Sequence, residues 1–150
     1  MLKSRAQIHF AFDDLNSAQS DIHAAADILT LDPEILALQA KIWALQGREL
    51  DTAYDYAMTL VKRNPSDVFA WDVLGRVVAA REGVDAALEL IERVGEVANE
   101  CSSLFENLGD LYWRAGNTTM ARDAYMRAID LSDDGLVVVP QIQRKIRKLK

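Results

Sequence analysis

Phe105-Glu106-Asn107-Leu108-Gly109-Asp110-Leu111-Tyr112 is the stretch from which the rest of the chain can be read, because its pattern recurs upstream. It stands 34 residues earlier as Trp71-Asp72-Val73-Leu74-Gly75-Arg76-Val77-Val78, and 35 residues before that as Leu36-Ala37-Leu38-Gln39-Ala40-Lys41-Ile42-Trp43. A last copy, Leu2-Lys3-Ser4-Arg5-Ala6-Gln7-Ile8-His9, lies another 34 residues back and departs most, with Arg5 and His9 at places that are apolar or aromatic in the best copy. The small residue of each copy (Ala6, Ala40, Gly75, Gly109) is followed 12 or 13 residues later by an alanine: Ala18, Ala53, Ala87 and Ala121. Four residues on stand Ile22, Ala57, Ile91 and Tyr125, and three further on Ala25, Leu60, Val94 and Ala128. A register of this kind, held over four periods, marks an array in which each unit buries its apolar face only by stacking on the next.

Between breakers the apolar residues fall at helical spacing, and no segment alternates as a strand would. The breakers are Asp13-Asp14, Asp32-Pro33, Gly47, Asn64-Pro65-Ser66, Glu82-Gly83 and Gly116-Asn117. They predict helices at about 2–12, 16–30, 33–46, 50–63, 67–81, 84–98, 101–115 and 118–131. Asp32 is placed to cap a helix whose first residue is Pro33, where proline's missing N–H would be unpaired anyway. Ser66 is the expected cap of the helix carrying Trp71. The small residues predict close pairing within each unit, Gly75 and Gly109 facing Ala87 and Ala121. Glycine inside a helix costs about 1 kcal/mol relative to alanine, so its presence argues for packing that offsets the loss.

This spacing of aromatic, Leu, Gly and Ala resembles the tetratricopeptide repeat (TPR) family over about residues 1–133, most closely at Phe105, Leu108, Gly109, Tyr112, Gly116, Ala121, Tyr125 and Ala128. The resemblance implies an all-α, right-handed α-solenoid of about four helix-turn-helix units, the first irregular, at about 1–32, 33–67, 68–101 and 102–133. It also implies that the first helices of the units line a concave groove for a peptide. Carried over position by position, the groove would be lined by Lys3, Gln7, Phe10 and Ala11, then Glu34, Ala37, Lys41, Ala44 and Leu45. The last two units would add Phe69, Asp72, Arg76, Ala79 and Ala80, then Ser103, Glu106, Asp110, Trp113 and Arg114. The partner-binding expectation rests on Lys41, Ala44, Leu45, Phe69, Asp72, Arg76, Ala79, Ala80, Glu106, Asp110, Trp113 and Arg114. Trp113 has a second reading, packing against the C-terminal helix, and the charges a second reading as a self-neutralising face. The Lys, Asn and Arg clamp of chaperone-binding TPR domains would fall on Ala37, Lys41, Val73, Ser103 and Asn107, or one unit earlier on Lys3, Gln7, Leu38, Phe69 and Val73. Neither set supplies it.

After Asp133-Asp134-Gly135 the register stops, and a linker and capping helix occupy 134–150. From Pro140 on, Ile142, Ile146 and Leu149 share one helical face, as a terminal element with a polar outer side requires. Residues 144–150 hold five bases and no acid, leaving 12 bases against 23 acids in residues 1–143. The first unit begins almost at Met1, so either the protein is complete with an irregular first repeat or it is part of a longer array. Leu2, Ile8, Phe10 or Phe12 exposed at that end would favour self-association.

Half the 150 residues are hydrophobic and 27% are charged, enough to bury a core. The longest run without Asp, Glu, Lys or Arg is nine residues, Gly135 to Gln143, against roughly 20 for a membrane span. A net charge of −6 argues against a nucleic-acid partner. No secretory signal is visible, and the single cysteine, Cys101, cannot form an internal disulfide, so a cytoplasmic location is expected. His9, His23 and Cys101 make no metal set, the carboxylate pairs fall at turns, and no nucleotide, hydrolase or metal-protease motif occurs. The expectation is therefore a non-enzymatic module without cofactor or metal that binds a protein or peptide segment in its groove. Two alternatives stand beside it: a small TPR chaperone of the secretion or assembly type, and an adaptor whose basic tail meets nucleic acid or an anionic membrane.

Overall fold

The computed structural model describes residues 2–26, 32–97, 101–132 and 138–149. Among them the only regular elements are helices: α1 (Leu2–Ala11), α2 (Leu15–Ala26), α3 (Pro33–Gln46), α4 (Leu50–Arg63), α5 (Val68–Arg81), α6 (Val84–Val97), α7 (Ser102–Arg114), α8 (Thr118–Asp130) and α9 (Val138–Lys148). Consecutive helices pack as hairpins, α1 with α2 through α7 with α8, and each hairpin then packs on the next through α2–α3, α4–α5 and α6–α7. The odd-numbered helices also touch one another, α1 on α3, α3 on α5 and α5 on α7, and so form the inner layer of an α-helical repeat solenoid. The expected residues 27–30, residue 98, the Asp133-Asp134-Gly135 turn and the side chain of Ala25 lie outside the described residues.

The repeat register is written directly into the core. Ala18, Ala53, Ala87 and Ala121 are all 0% exposed, and so are Ile22, Ala57, Ile91 and Tyr125. The glycines do face their partner helices, but not at the alanines that the spacing suggests. A β-carbon at Gly75 would collide with Cγ1 and Cδ1 of Ile91, and one at Gly109 with the ring of Tyr125. Long side chains on a helix lean back toward its N-terminus, so the residue one turn beyond the alanine covers the glycine.

Helix ends follow from local chemistry. Asp32 caps α3, accepting from the N–H groups of Glu34 and Ile35 at 2.8 and 3.4 Å, with Pro33 as the first helical residue. Asp67, not Ser66, caps α5 by accepting from Phe69 N–H at 3.0 Å. Ser66 N–H instead donates to Asn64 Oδ1 in the preceding turn, so the helix begins one residue later than the hydroxyl suggests. The extra residue of the second unit is absorbed between α3 and α4, where Gly47 and Glu49 both take left-handed backbone, φ 65° and 50°. Helix α9 starts at Val138, two residues before Pro140. Proline in a first turn forfeits no intrahelical hydrogen bond, because the N–H groups there have no intrahelical partner.

The C-terminal helix caps the array. Ile142 and Leu149 are buried and Ile146 half-buried against Ala121, Tyr125, Ala128 and the rings of Phe105 and Tyr112. At the other end Leu2 and Phe10 pack inward on Ala6, Ala18 and Ile22, while Ile8 and Phe12 remain exposed.

Candidate partner-binding groove

The ends of α3, α5 and α7 enclose a cavity of about 520 Å³ on the inner layer. Lys41, Ala44, Leu45, Arg76, Ala79, Ala80, Asp110, Trp113 and Arg114 line it, together with Phe10 from α1. The floor is formed by small side chains, Ala44 on α3 and Ala79 and Ala80 at the matching level of α5. Leu45 and Trp113 stand at its rim, 59% and 39% exposed.

Three residues of the expected set stand elsewhere. Phe69 lines a separate depression of about 370 Å³ with Pro33, Leu60, Asn64 and Ala70. The Lys41 ammonium lies 4.4 Å from the centre of its ring, an attraction between a cation and the ring's negative face. Asp72 is beneath the floor and 0% exposed. Glu106 faces the capping helix, where Lys145 Nζ donates to its Oε1 at 2.7 Å.

The charges form one chain across the units. Asp72 accepts from Arg76 Nε at 3.1 Å and from the hydroxyl of Ser103, and Lys41 Nζ lies 3.3 Å from its Oδ2. Arg76 also donates from Nη2 to the Ser103 carbonyl at 3.2 Å, and its Nη1 is 3.8 Å from Asp110. Asp110 accepts from Lys145 Nζ at 2.8 Å and from the Tyr125 hydroxyl at 2.6 Å. Burial would push the Asp72 carboxyl up, yet Arg76 and Lys41 outweigh it and hold it below the usual carboxylate range. Burial lowers the Lys41 ammonium despite Asp72. Burial works against the Arg76 guanidinium, but Asp72, Glu106 and Asp110 together outweigh it and raise it. The Tyr125 hydroxyl is raised by burial and then by Asp110, so it stays a donor.

Burying Asp72 is tolerable only because its partners arrive from α3, α5 and α7 together; removing one partner of a buried ion pair typically costs about 3–5 kcal/mol. Lys145 and Tyr125 are the members of this chain that the sequence reading missed. Lys145 is 35 residues from Asp110 and sits in a run of similar bases, so no spacing singled it out. Among the described residues, no three His, Cys, Asp or Glu side chains gather as a metal set, and no helix is long and apolar enough to cross a membrane.

No protein-family model matches the sequence, and neither does any curated protein. Solved structures do match in fold. A thermophilic TPR protein from Thermus thermophilus, TTC0263, superposes with a TM-score of 0.68 at 18% identity, over 97% of this chain and 81% of that one. A tetratricopeptide repeat protein from Parabacteroides merdae gives a TM-score of 0.67 at 13% identity, over 98% of this chain and 57% of that one. YrrB, described as a TPR protein with an unusual peptide-binding site, gives 0.54 at 18% identity, over 92% of this chain and 71% of that one. With the buried four-fold register and the hairpin stacking, these likenesses show that the chain has the tetratricopeptide-repeat fold.

Proposed function

We propose that this protein is a non-enzymatic interaction module that holds a segment of a partner protein in the groove formed by α3, α5 and α7. The observation that carries the reading is the cavity of about 520 Å³ with its alanine floor and its exposed Leu45 and Trp113. Large apolar side chains left half in water around a depression are what a partner's anchor residues cover, and tryptophan is enriched among residues that dominate binding energy. The TPR fold supports interaction with proteins in general, and the YrrB structure is described as holding a peptide-binding site.

Arg76 is a poor probe of this groove, because changing it strips Asp72 of its main partner. A photoreactive amino acid at Leu45 is a better one, compared with the same group at Asp55 on the outer helix α4. Partners from a native lysate should crosslink at Leu45 and not at Asp55, and Ala80→Phe, which fills the floor, should remove the product. Crosslinking at Asp55 that survives Ala80→Phe would place the interaction on the outer face.

A further inference from the structure

We infer, resting on the groove reading above, that the segment this groove selects is acidic, with a bulky apolar side chain over Ala44, Ala79 and Ala80 and a neighbouring carboxylate paired to Arg114. Four charges line the cavity, Lys41, Arg76, Asp110 and Arg114, and three more pair with them from beneath or beside it. Helix α3 supplies Lys41, α5 supplies Arg76 above the buried Asp72, α7 supplies Glu106, Asp110 and Arg114, and α9 supplies Lys145. Every acid in that group is already engaged. Asp72 is held by Arg76, Lys41 and Ser103, Glu106 by Lys145, and Asp110 by Lys145 and Tyr125. Lys41 and Arg76 are engaged in return.

Arg114 differs: it lines the cavity, is exposed, and has no carboxylate within ion-pair distance among the described residues. An incoming ammonium would therefore meet a guanidinium and no available acid. An incoming carboxylate would meet a planar fork of donors suited to bidentate pairing. Taken together, the six groups other than Arg114 neutralise one another, so Arg114 sets the local sign. The acidity of the whole chain, −6, opposes such a partner at range. That opposition is screened beyond about 8–10 Å at moderate salt, whereas the groove contact is made inside that distance.

Lys145 gives the inference a consequence that a generic groove would lack. It lies outside the cavity lining on the capping helix, but it neutralises Glu106 and Asp110. Removing it strips Glu106 of its ion-pair partner and leaves Asp110 only the Tyr125 hydroxyl and the more distant Arg76, so a residue on α9 should govern the charge preference of helices α3 to α7.

A phage-displayed library of random dodecapeptides tests this against wild type, Ala80→Phe, Trp113→Ala, Arg114→Glu, Arg114→Lys and Lys145→Ala, each first shown to melt as a single transition. Wild type should enrich peptides with Asp or Glu within a few residues of Leu, Ile, Phe or Trp. A synthetic peptide of that pattern should bind about tenfold or more weaker to Arg114→Glu, since a charge-assisted contact is lost and a repulsion gained. It should bind Arg114→Lys with a smaller loss and Lys145→Ala with an intermediate one. Enrichment of Lys- or Arg-rich peptides that Ala80→Phe and Trp113→Ala abolish would overturn the charge assignment while leaving the groove standing. Peptides indifferent to both floor and rim variants, or no enrichment at all, would overturn the groove reading and this inference with it.

Discussion

The first hairpin and the last use the same register and hold it together by different means. Positions 103 residues apart in sequence correspond: Ala6 to Gly109, Ala18 to Ala121 and Ile22 to Tyr125, all of them buried. Beside that shared seam the last hairpin sets Leu108 and Ala124, both apolar and buried. The first sets Arg5 and Asp21, whose side chains meet through two hydrogen bonds, one of them from Nε at 2.7 Å. Asp21 is 5% exposed, and Arg5 holds its carboxyl below the usual range. An ion pair stands where the last hairpin has two apolar residues, beside the same buried seam. Backbone register is therefore set by the small-residue seam, and the flanking positions are open to either chemistry.

The largest effect expected from this contrast is at Tyr125. Its ring is fully buried over Gly109 and under the capping helix, so Tyr125→Ala should cost about 3–5 kcal/mol in chemical denaturation. Ile22→Ala at the corresponding place should cost less, since it fills less space and bears no cap. Equal losses would mean that the first hairpin is packed as tightly as the last. Next is Gly109→Ala, expected to cost about 1–3 kcal/mol because the Tyr125 ring has to move. Ala6 already carries a β-carbon at the equivalent position, so the first hairpin tolerates there what the last should not.

Asp13 takes left-handed backbone, φ 61°, at the position where the last hairpin has Gly116, φ 81°. Asp13→Gly should therefore raise the melting temperature slightly, by up to about 1 kcal/mol of strain relief. A fall would show that the aspartate side chain supports the turn.

The smallest effects concern the ion pair, because the Arg5 side chain is 61% exposed and a pair open to water contributes little. Arg5→Leu alone should lower the melting temperature by leaving Asp21 without its partner, and adding Asp21→Ala should restore it. Failure of the double variant to recover would show that the pair specifies the first hairpin. The pH dependence follows from the direction of the Asp21 shift. A carboxyl whose folded value is depressed contributes stability that is present above its unfolded value, near pH 4, and lost as pH falls through the folded one. In acid, the methyl signals of Ala6 and Ala18 should broaden before those of Ala121 and Ala128.

The seam, the hairpins and the cap were legible in the sequence because each is a local pattern of residue sizes repeated at one period. The Asp32 cap was legible for the same reason. What escaped was set by contacts between distant residues. Lys145 meets Glu106 across 39 residues, and nothing in the run of bases around it marks one as turned inward. Phe69 occupies the groove position of its unit, yet it lies in the neighbouring depression, with Lys41 against its ring. The register makes Asp72 a lining residue, but it is fully buried and its carboxylate is taken up by Lys41, Arg76 and Ser103. A repeat alignment gives the face on which a residue starts; which neighbour its side chain reaches is decided across units.

Arrays of this kind are often regarded as strings of exchangeable units, lengthened or shortened by whole repeats because each contacts only its neighbours. The buried carboxylate of Asp72 removes that freedom at the centre of this one. Lys41, Arg76 and Ser103 come from three consecutive units, and each donates something the carboxylate needs. Excising the α5–α6 unit would set Glu106, which holds the Asp72 position of its own unit, beside Lys41 and remove the acid that Ser103 now meets. Helices α3, α5 and α7 are thus tied through one buried carboxylate, and a graft or chimaera of this protein is best cut outside them.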